Sequence, residues 1–287
     1  MNIQSLSIVV PTGYCWNHCP YCVSRTPCED YGDYSKKLSN DIITSGYINR
    51  IKFVRDQGCN TMMLTGTAEP QQNMSFIKRL LTANASLPKP FYSIEMQTTG
   101  SGMNESNIKE LAELGVTTLA LSISSFDPDR NVEIIHMPEN KKVDYYNLIW
   151  WAHDNNMNVR ACLNLTDEFN RYEAAQYFKW ARGQGIEQLT FRQMYYHYMD
   201  PCEERMWIQA HSIDFKRIGQ IKDFIQKYGT EVAILPYGFK QYDVQGISVV
   251  VDDDCMSKGN IANFKYAILR PNGHLYSQWD LKGSLIF

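Results

Sequence analysis

The chain has 287 residues, 44% of them hydrophobic, a size that allows one large α/β domain or two small ones. The net charge of −3 argues against a global basic field that would attract nucleic acid or an anionic membrane. Eight cysteines, three clustered and five scattered, do not form the paired framework of a small secreted protein and favour a reducing cytoplasm. Neither a secretory signal nor a membrane span is expected, because the sequence shows no basic, apolar leader and no long apolar run.

The first predicted strand, residues 6–11, leads directly into a cysteine-rich loop. Cys15, Cys19 and Cys22 are separated by three and then two residues, so their thiolates can fold back onto one centre. Three cysteine ligands on a four-iron cluster leave one iron open to bind something else. The alternative is a structural zinc site completed by Cys28. Zinc sites more often contain two Cys-x2-Cys pairs, and only one is present here, so the spacing favours iron–sulfur.

Apolar runs alternate with longer amphipathic segments up to about residue 230, a pattern typical of βα units on a parallel sheet. After the first strand, further strands are predicted at 61–65, 92–98, 118–124, 158–165 and 188–193. Helices are predicted at 40–57, 105–114, 142–155, 172–184 and 212–228. Six such units indicate an α/β fold, a partial (β/α)6 TIM-like barrel over residues 1–229.

The last part of the chain, residues 230–287, has a different pattern of short strands and turns. Strands are predicted at 232–235, 247–251 and 266–269, and Pro271-Asn272-Gly273 predicts a hairpin turn into Leu275 and Tyr276. We expect this segment to form a small C-terminal β extension that packs on the barrel and closes its open side or mouth. A simple edge hairpin is the alternative.

The spacing of Cys15, Cys19 and Cys22, with Tyr21 just before the last cysteine, resembles the cluster motif of the radical S-adenosylmethionine (radical SAM) superfamily. The resemblance implies a [4Fe-4S] cluster whose fourth iron chelates the amino and carboxylate groups of SAM. It also implies an external electron donor, such as flavodoxin or ferredoxin, and reductive cleavage of SAM to a 5′-deoxyadenosyl radical that abstracts hydrogen from a substrate. The protein would contribute binding, orientation and shielding, since the cofactor carries the difficult chemistry.

Polar residues occur at the carboxyl ends of the predicted strands, where parallel α/β folds bind ligands. Residues 65–70, Thr-Gly-Thr-Ala-Glu-Pro, resemble the superfamily's Gly-Gly-Glu-Pro element and imply hydrogen bonds from the SAM ammonium group to backbone carbonyls and to Glu69. Residues 95–100 are similar to the strand end of many members. The residues expected to bind SAM are Tyr21, Thr65, Gly66, Thr67, Glu69, Gln97, Thr98, Ser122, Ser124, Arg160, Asn164 and Arg192.

Two arginines on strands 5 and 6 have a structural alternative to this role. The resemblance assigns Arg160 to the SAM carboxylate, and Arg192 is suited to the same carboxylate or to an anionic substrate. An arginine on a barrel strand is costly to bury alone, so an ion pair with Glu95 or Glu69 explains the presence of both arginines equally well.

In strand 4, alternation places Ser122 and Ser124 on the same face.

The resemblance covers about residues 3–195 and does not identify the subfamily or the reaction outcome. No cysteine follows Pro271-Asn272-Gly273, where many peptide-modifying relatives carry further clusters, so a single cluster and a small metabolite or nucleotide substrate are favoured. A peptide, a protein or RNA is the alternative substrate. Cys202 and Cys255 are interpreted as ordinary packed thiols rather than hydrogen donors. The rival hypothesis is a zinc-stapled α/β binding protein without catalysis.

Overall fold

A computed structural model of the chain describes residues 2–24, 42–195, 202–235, 237–252, 263–279 and 282–287. Its strands are β1 (Asn2–Val9), β2 (Thr61–Thr65), β3 (Ser93–Thr98), β4 (Thr118–Ile123), β5 (Asn158–Asn164), β6 (Gln188–Arg192), β7 (Thr230–Ile234), β8 (Lys240–Val244), β9 (Ile247–Asp252), β10 (Asn263–Leu269) and β11 (Leu275–Tyr276). The α-helices within the described residues are α1 (Ser45–Asp56), α2 (Met74–Ala85), α3 (Glu105–Glu113), α4 (Pro128–Ile134), α5 (Tyr145–Asp154), α6 (Ala174–Gly183), α7 (Glu203–His211) and α8 (Phe215–Tyr228).

Strands β1 to β6 lie side by side in chain order, and each neighbouring pair is parallel. Helices connect the described strand ends, as parallel neighbours require. One face of the sheet packs against these helices, so that Leu6 and Ile8 of β1 share an apolar core with Ile51 of α1. The predicted α/β fold with a partial parallel barrel is confirmed, and the sheet stays open, with β11 and β7 at its edges.

The C-terminal strands join both ends of this array. Strand β9 pairs in parallel with β6, and β10 pairs in parallel with β1, so the parallel run extends from β10 to β9. Antiparallel strands β8 and β7 continue beyond β9, and β11 continues beyond β10. Lys265 of β10 and Asp252 of β9 form an ion pair of 2.6 Å between strands at opposite ends of the parallel run. The division into a barrel and an extension at residue 230 stays a prediction about folding units.

Helices α2, α4 and α7 and strand β8 are present although the sequence pattern does not predict them. A local signal existed for α2, because Asn73 caps the helix by accepting a hydrogen bond of 3.1 Å from the Phe76 amide. Strand β1 begins at Asn2, earlier than expected, because Ser5 and Ser7 interrupt the apolar run yet are buried. Where both faces of a strand are buried, a polar residue in the sequence does not mark an exposed face. The alternation of polar and apolar residues therefore does not locate the start of such a strand.

Cys59, between α1 and β2, makes the stability of the fold vary with pH in the alkaline range. The side chain is 1% exposed, and burial raises the pKa of the thiol from 9.0 to about 11. Since the folded chain then holds this proton more tightly than the unfolded chain, the contribution is complete below pH 9.0 and disappears as the pH rises through about 11. The rise in pKa corresponds to roughly 3 kcal/mol.

We therefore expect the unfolding free energy of the metal-free protein, measured by urea denaturation, to fall between pH 9.0 and about 11, and to fall less steeply in Cys59→Ala. Val54→Ala is the control, because Val54 is buried in the same core and does not titrate. It should lower stability by a similar amount at every pH. Parallel pH profiles for Cys59→Ala and the wild type would contradict the assignment.

Candidate functional site

The cysteine-rich loop follows β1 and lies over the carboxyl ends of the parallel strands. Cys15, Cys19 and Cys22 line a cavity of about 250 Å³. The loop is held in place by backbone hydrogen bonds, one of 3.1 Å from the His18 amide to the Ile135 carbonyl and one of 3.2 Å from the Cys22 amide to the Cys19 carbonyl. The ends of the neighbouring strands complete the wall of the cavity with Thr65, Gln97, Ser122, Asn164 and Arg192.

Two thiols of this loop, those of Cys15 and Cys19, are in an environment that disfavours the thiolate. Burial raises the pKa of Cys19 well above its ordinary value, and the nearby Cys22 and Glu69 raise it further. Burial also raises the pKa of Cys15, only partly offset by a backbone hydrogen bond at Asn17. Metal binding requires deprotonated cysteines, so a cationic centre would relieve this cost and would release protons as it binds.

Within the described ranges, no three His, Cys, Asp or Glu side chains converge closely enough to hold one metal ion. An iron–sulfur cluster does not require such convergence, because each thiolate binds a different iron. The three thiols and their shared cavity fit a group of this kind. Cys28, the fourth ligand of the zinc alternative, and Cys255 lie outside the described residues.

Glu69 connects the cysteine loop to the end of β3. Its carboxylate is 5% exposed and accepts hydrogen bonds from several protein donors. They are the Asn17 amide (3.1 Å), the Gln71 amide (2.9 Å), the Thr98 hydroxyl (2.5 Å), the Thr99 hydroxyl (2.7 Å) and the Thr99 backbone amide (3.2 Å). Charge-assisted hydrogen bonds of this kind are strong. Glu69 lines the cavity, and these contacts also hold the cysteine loop against the end of β3.

Tyr21 and Ser124 form a small hydrogen-bonded cluster with Asn164. The Tyr21 and Ser124 hydroxyls are 2.5 Å apart, and the Asn164 amide lies 3.4 Å from each. Burial raises the pKa of Tyr21 well above its ordinary value, so the phenol stays protonated. Its ring also contacts Trp207 of α7, with ring centroids 5.5 Å apart. The cluster therefore attaches the segment between Cys19 and Cys22 to the ends of β4 and β5.

The cavity contains ten of the twelve residues that the sequence assigns to SAM: Tyr21, Thr65, Gly66, Thr67, Glu69, Gln97, Thr98, Ser122, Asn164 and Arg192. Ser124 is absent from its lining because β4 ends at Ile123, so strict alternation does not extend to Ser124. Arg160 is also absent. It lies nearer the amino end of its strand and contacts Glu95 at 2.8 Å, which is the ion pair of the structural alternative.

Two aromatic residues of the C-terminal segment line the same cavity and were not expected there. Tyr266 comes from β10 and Trp279 from the segment after β11, with ring centroids 6.3 Å apart. The Trp279 carbonyl accepts a hydrogen bond from the Arg270 guanidinium. No sequence signal identifies these residues, because they reach the cavity only when β10 pairs with β1. They add two aromatic rings to the lining of the cavity.

The sequence model that describes the radical SAM superfamily matches residues 9–168, more than half of the 287-residue chain. The chain belongs to the radical SAM superfamily. The match runs from the end of β1 through β5 and includes the three cysteines. No curated protein matches the chain significantly.

Several solved structures have a similar fold. SuiB from Streptococcus suis with bound SAM gives a TM-score of 0.61 at 11% identity, over 96% of this chain and 60% of SuiB. The structure of anSMEcpe with bound SAM gives 0.64 at 13% identity, over 100% of this chain and 74% of anSMEcpe. Coproporphyrinogen III oxidase (HemN) from Escherichia coli gives 0.50 at 12% identity, over 80% of this chain and 54% of HemN. The chain thus spans about three fifths of the length of SuiB.

The cofactors of the radical SAM superfamily, to which the chain belongs, are a [4Fe-4S] cluster and SAM. Outside the cavity, Cys202 caps α7, where its sulfur accepts a hydrogen bond of 3.4 Å from the Arg205 amide. This contact supports a local role for Cys202.

None of the helices in the described part of the chain is long and apolar enough to cross a membrane.

Proposed function

We propose that this radical SAM enzyme binds a [4Fe-4S] cluster through Cys15, Cys19 and Cys22 and uses it to cleave SAM reductively. The bound cofactors would supply a 5′-deoxyadenosyl radical that abstracts hydrogen from an organic substrate. The observation that supports this most directly is that the three thiols share one cavity with ten of the twelve residues expected to contact SAM.

The residues of this cavity would have separate tasks. The loop at Gly66 comes close to its own backbone, and a Cβ there would lie 3.0 Å from the Ala68 carbonyl oxygen. A glycine therefore lets the loop turn tightly and present carbonyls to the SAM ammonium group, while Glu69 holds the loop in place. Arg192 would bind a carboxylate with its guanidinium fork. Tyr266 and Trp279 would exclude water from the reacting atoms.

For the substrate, we propose a small metabolite or nucleotide, with electrons from a flavodoxin or ferredoxin in a reducing cytoplasm. A peptide is the second candidate, because structures of SuiB with its precursor peptide SuiA and of anSMEcpe with the Kp18Cys peptide are among the similar folds. These complexes describe SuiB and anSMEcpe, whose chains are longer than this one.

Anaerobic reconstitution with iron and sulfide tests the proposal. We expect a brown protein with about four irons per chain. After reduction it should convert SAM to methionine and 5′-deoxyadenosine, detected by chromatography, and omission of the reductant should stop the conversion. A colourless protein with stoichiometric zinc and no cleavage of SAM would support the zinc-stapled binding protein instead.

A further inference from the structure

Helix α4 and the residues that follow it pack against the cysteine loop, residues 15–22. Three side chains of this segment form a small apolar cluster: Val132, Ile135 and Met137. Cys19 and Tyr21 of the loop pack against that cluster. The Ile135 carbonyl also accepts the hydrogen bond of 3.1 Å from the His18 amide. The loop that carries the three cysteines is therefore attached to α4 by apolar contacts and by a backbone hydrogen bond.

The same helix carries a buried polar side chain, Asn131, which is 1% exposed. Its carbonyl oxygen accepts a hydrogen bond of 2.7 Å from the Ser124 backbone amide, and its NH2 group donates one of 2.7 Å to the Tyr145 hydroxyl. The Tyr145 hydroxyl in turn donates to the Thr99 carbonyl at 3.0 Å. Burial raises the pKa of Tyr145 above its ordinary value, and the nearby Glu69 raises it further, so this hydroxyl keeps its proton.

These hydrogen bonds join two strand ends that the sheet itself does not join. The pairing of β3 with β4 stops before it reaches Thr99 and Ser124, and both residues are buried. Buried backbone groups beyond the end of a ladder need other partners, because leaving them unpaired is costly. The side chains of Asn131 and Tyr145 supply those partners to the Ser124 amide and the Thr99 carbonyl. We call this pair of side chains the Asn131–Tyr145 bridge.

Both residues that the bridge fixes are bonded to the cysteine loop. The Ser124 hydroxyl lies 2.5 Å from the hydroxyl of Tyr21. The Thr99 hydroxyl donates to the Glu69 carboxylate at 2.7 Å and accepts a hydrogen bond of 2.9 Å from the Asn17 amide. One chain of hydrogen bonds therefore begins in the loop at Tyr21, passes through the bridge and returns to the loop at Asn17.

We infer that Asn131 and Tyr145 are positioning residues, which fix the ends of β3 and β4 relative to each other and thereby hold the cysteine loop in the shape that binds the cluster and SAM. Neither side chain belongs to the lining of the cavity, so both act through the residues that they hold. The inference rests on the proposed function for what the loop binds. The effect of the bridge on the loop itself needs neither cluster nor SAM.

Hydrogen–deuterium exchange of the metal-free full-length chain, measured by mass spectrometry, tests the inference. Tyr145→Phe removes the bridging hydroxyl and keeps the ring. We expect the peptide that contains residues 14–22 to exchange about tenfold faster, the effect of losing one buried hydrogen bond. Tyr177→Phe is the matched control, because the buried Tyr177 hydroxyl also donates to a backbone carbonyl, that of Phe169 at 2.6 Å, and Tyr177 does not line the cavity. It should leave exchange in this peptide at the wild-type rate.

Asn131→Ala is a second variant, which removes both side-chain hydrogen bonds of the bridge, and loop exchange should rise by at least the same factor. Its control is Asn84→Ala, since Asn84 is a buried helical asparagine whose two side-chain groups bond the Phe91 backbone at 3.0 and 2.9 Å. Asn84 does not line the cavity. Urea denaturation should show a similar loss of stability for the two variants, so faster exchange of the loop in Asn131→Ala alone would not come from overall stability.

The reconstituted and reduced protein gives an independent readout, the change that SAM causes in the electron paramagnetic resonance spectrum of the cluster. Titration of this change should show that Tyr145→Phe binds SAM about tenfold more weakly than Tyr177→Phe. Wild-type loop exchange or wild-type SAM affinity in Tyr145→Phe would overturn the inference, and so would an equal rise of loop exchange in the controls. If Asn131→Ala does not fold, Tyr145→Phe decides alone. Failure of the proposed function would show differently, as a wild-type protein without SAM cleavage in which Tyr145→Phe still speeds loop exchange.

Discussion

Cys19→Ala is expected to abolish reductive cleavage of SAM and to lower the iron content of the reconstituted protein. Cys19 lies between the other two cysteines in the loop, and its thiol is close enough to those of Cys15 and Cys22 for their charges to affect its pKa. Two remaining thiolates cannot replace the third ligand of a site that already has one open iron. The measurements are 5′-deoxyadenosine formation and iron per chain after anaerobic reconstitution.

Cys59→Ala is the matched control for this variant. Cys59 is a buried thiol in the core between α1 and β2 and lies outside the lining of the cavity. Its replacement should leave iron content and SAM cleavage at wild-type levels at neutral pH. If Cys19→Ala cleaved SAM at the wild-type rate, the three-cysteine centre would be the wrong site for the chemistry.

Glu69→Gln is expected to lower the unfolding free energy by roughly 3 kcal/mol, because hydrogen bonds to a buried charged group are strong and unsatisfied donors are costly. The carboxylate accepts hydrogen bonds on both oxygens. A glutamine would present an NH2 group to some of those same donors. Because Asn17 would lose this partner, the cysteine loop would be less well oriented and the iron content after reconstitution should also fall.

Urea denaturation of the metal-free protein measures the first effect, and iron analysis measures the second. Glu113→Gln is the matched control, since Glu113 is exposed near the end of α3. Its effect on stability should stay within about 0.5 kcal/mol, the usual range for surface substitutions. Equal stability and equal iron content for the two variants would show that Glu69 does not organise the site.

The elements that the sequence predicts well depend on local patterns. Strand β2 has the predicted bounds, and the core strands β3 to β6 differ from the predicted ones by a residue at their ends. Their apolar runs are bounded by turns, and burial on both faces keeps those runs nearly continuous. Helix α4 is only seven residues long, too short for helical periodicity to be visible.

The candidate site was predictable where its residues are close in sequence to a strand end. Thr65, Gly66 and Thr67 line the cavity because the ends of parallel strands meet at one edge. Arg160 was harder to place, since a side chain on a barrel strand can line the cavity or form an ion pair with a neighbouring strand below it. The distance of the residue from the carboxyl end of its strand decides between these two roles, and the sequence alone does not show which residues reach the cavity.

The amino-acid sequence alone therefore determined the parallel order of the first six strands and the position of the three cysteines after the first. Both depend on neighbours along the chain, namely the hydrophobic period and the spacing of ligands. Only the tertiary structure decided that the C-terminal strands join both ends of the sheet, that Tyr266 and Trp279 reach the cavity, and that Arg160 pairs with Glu95. These features depend on contacts between residues far apart in sequence, such as Arg160 and Glu95, and local patterns carry no information about such contacts.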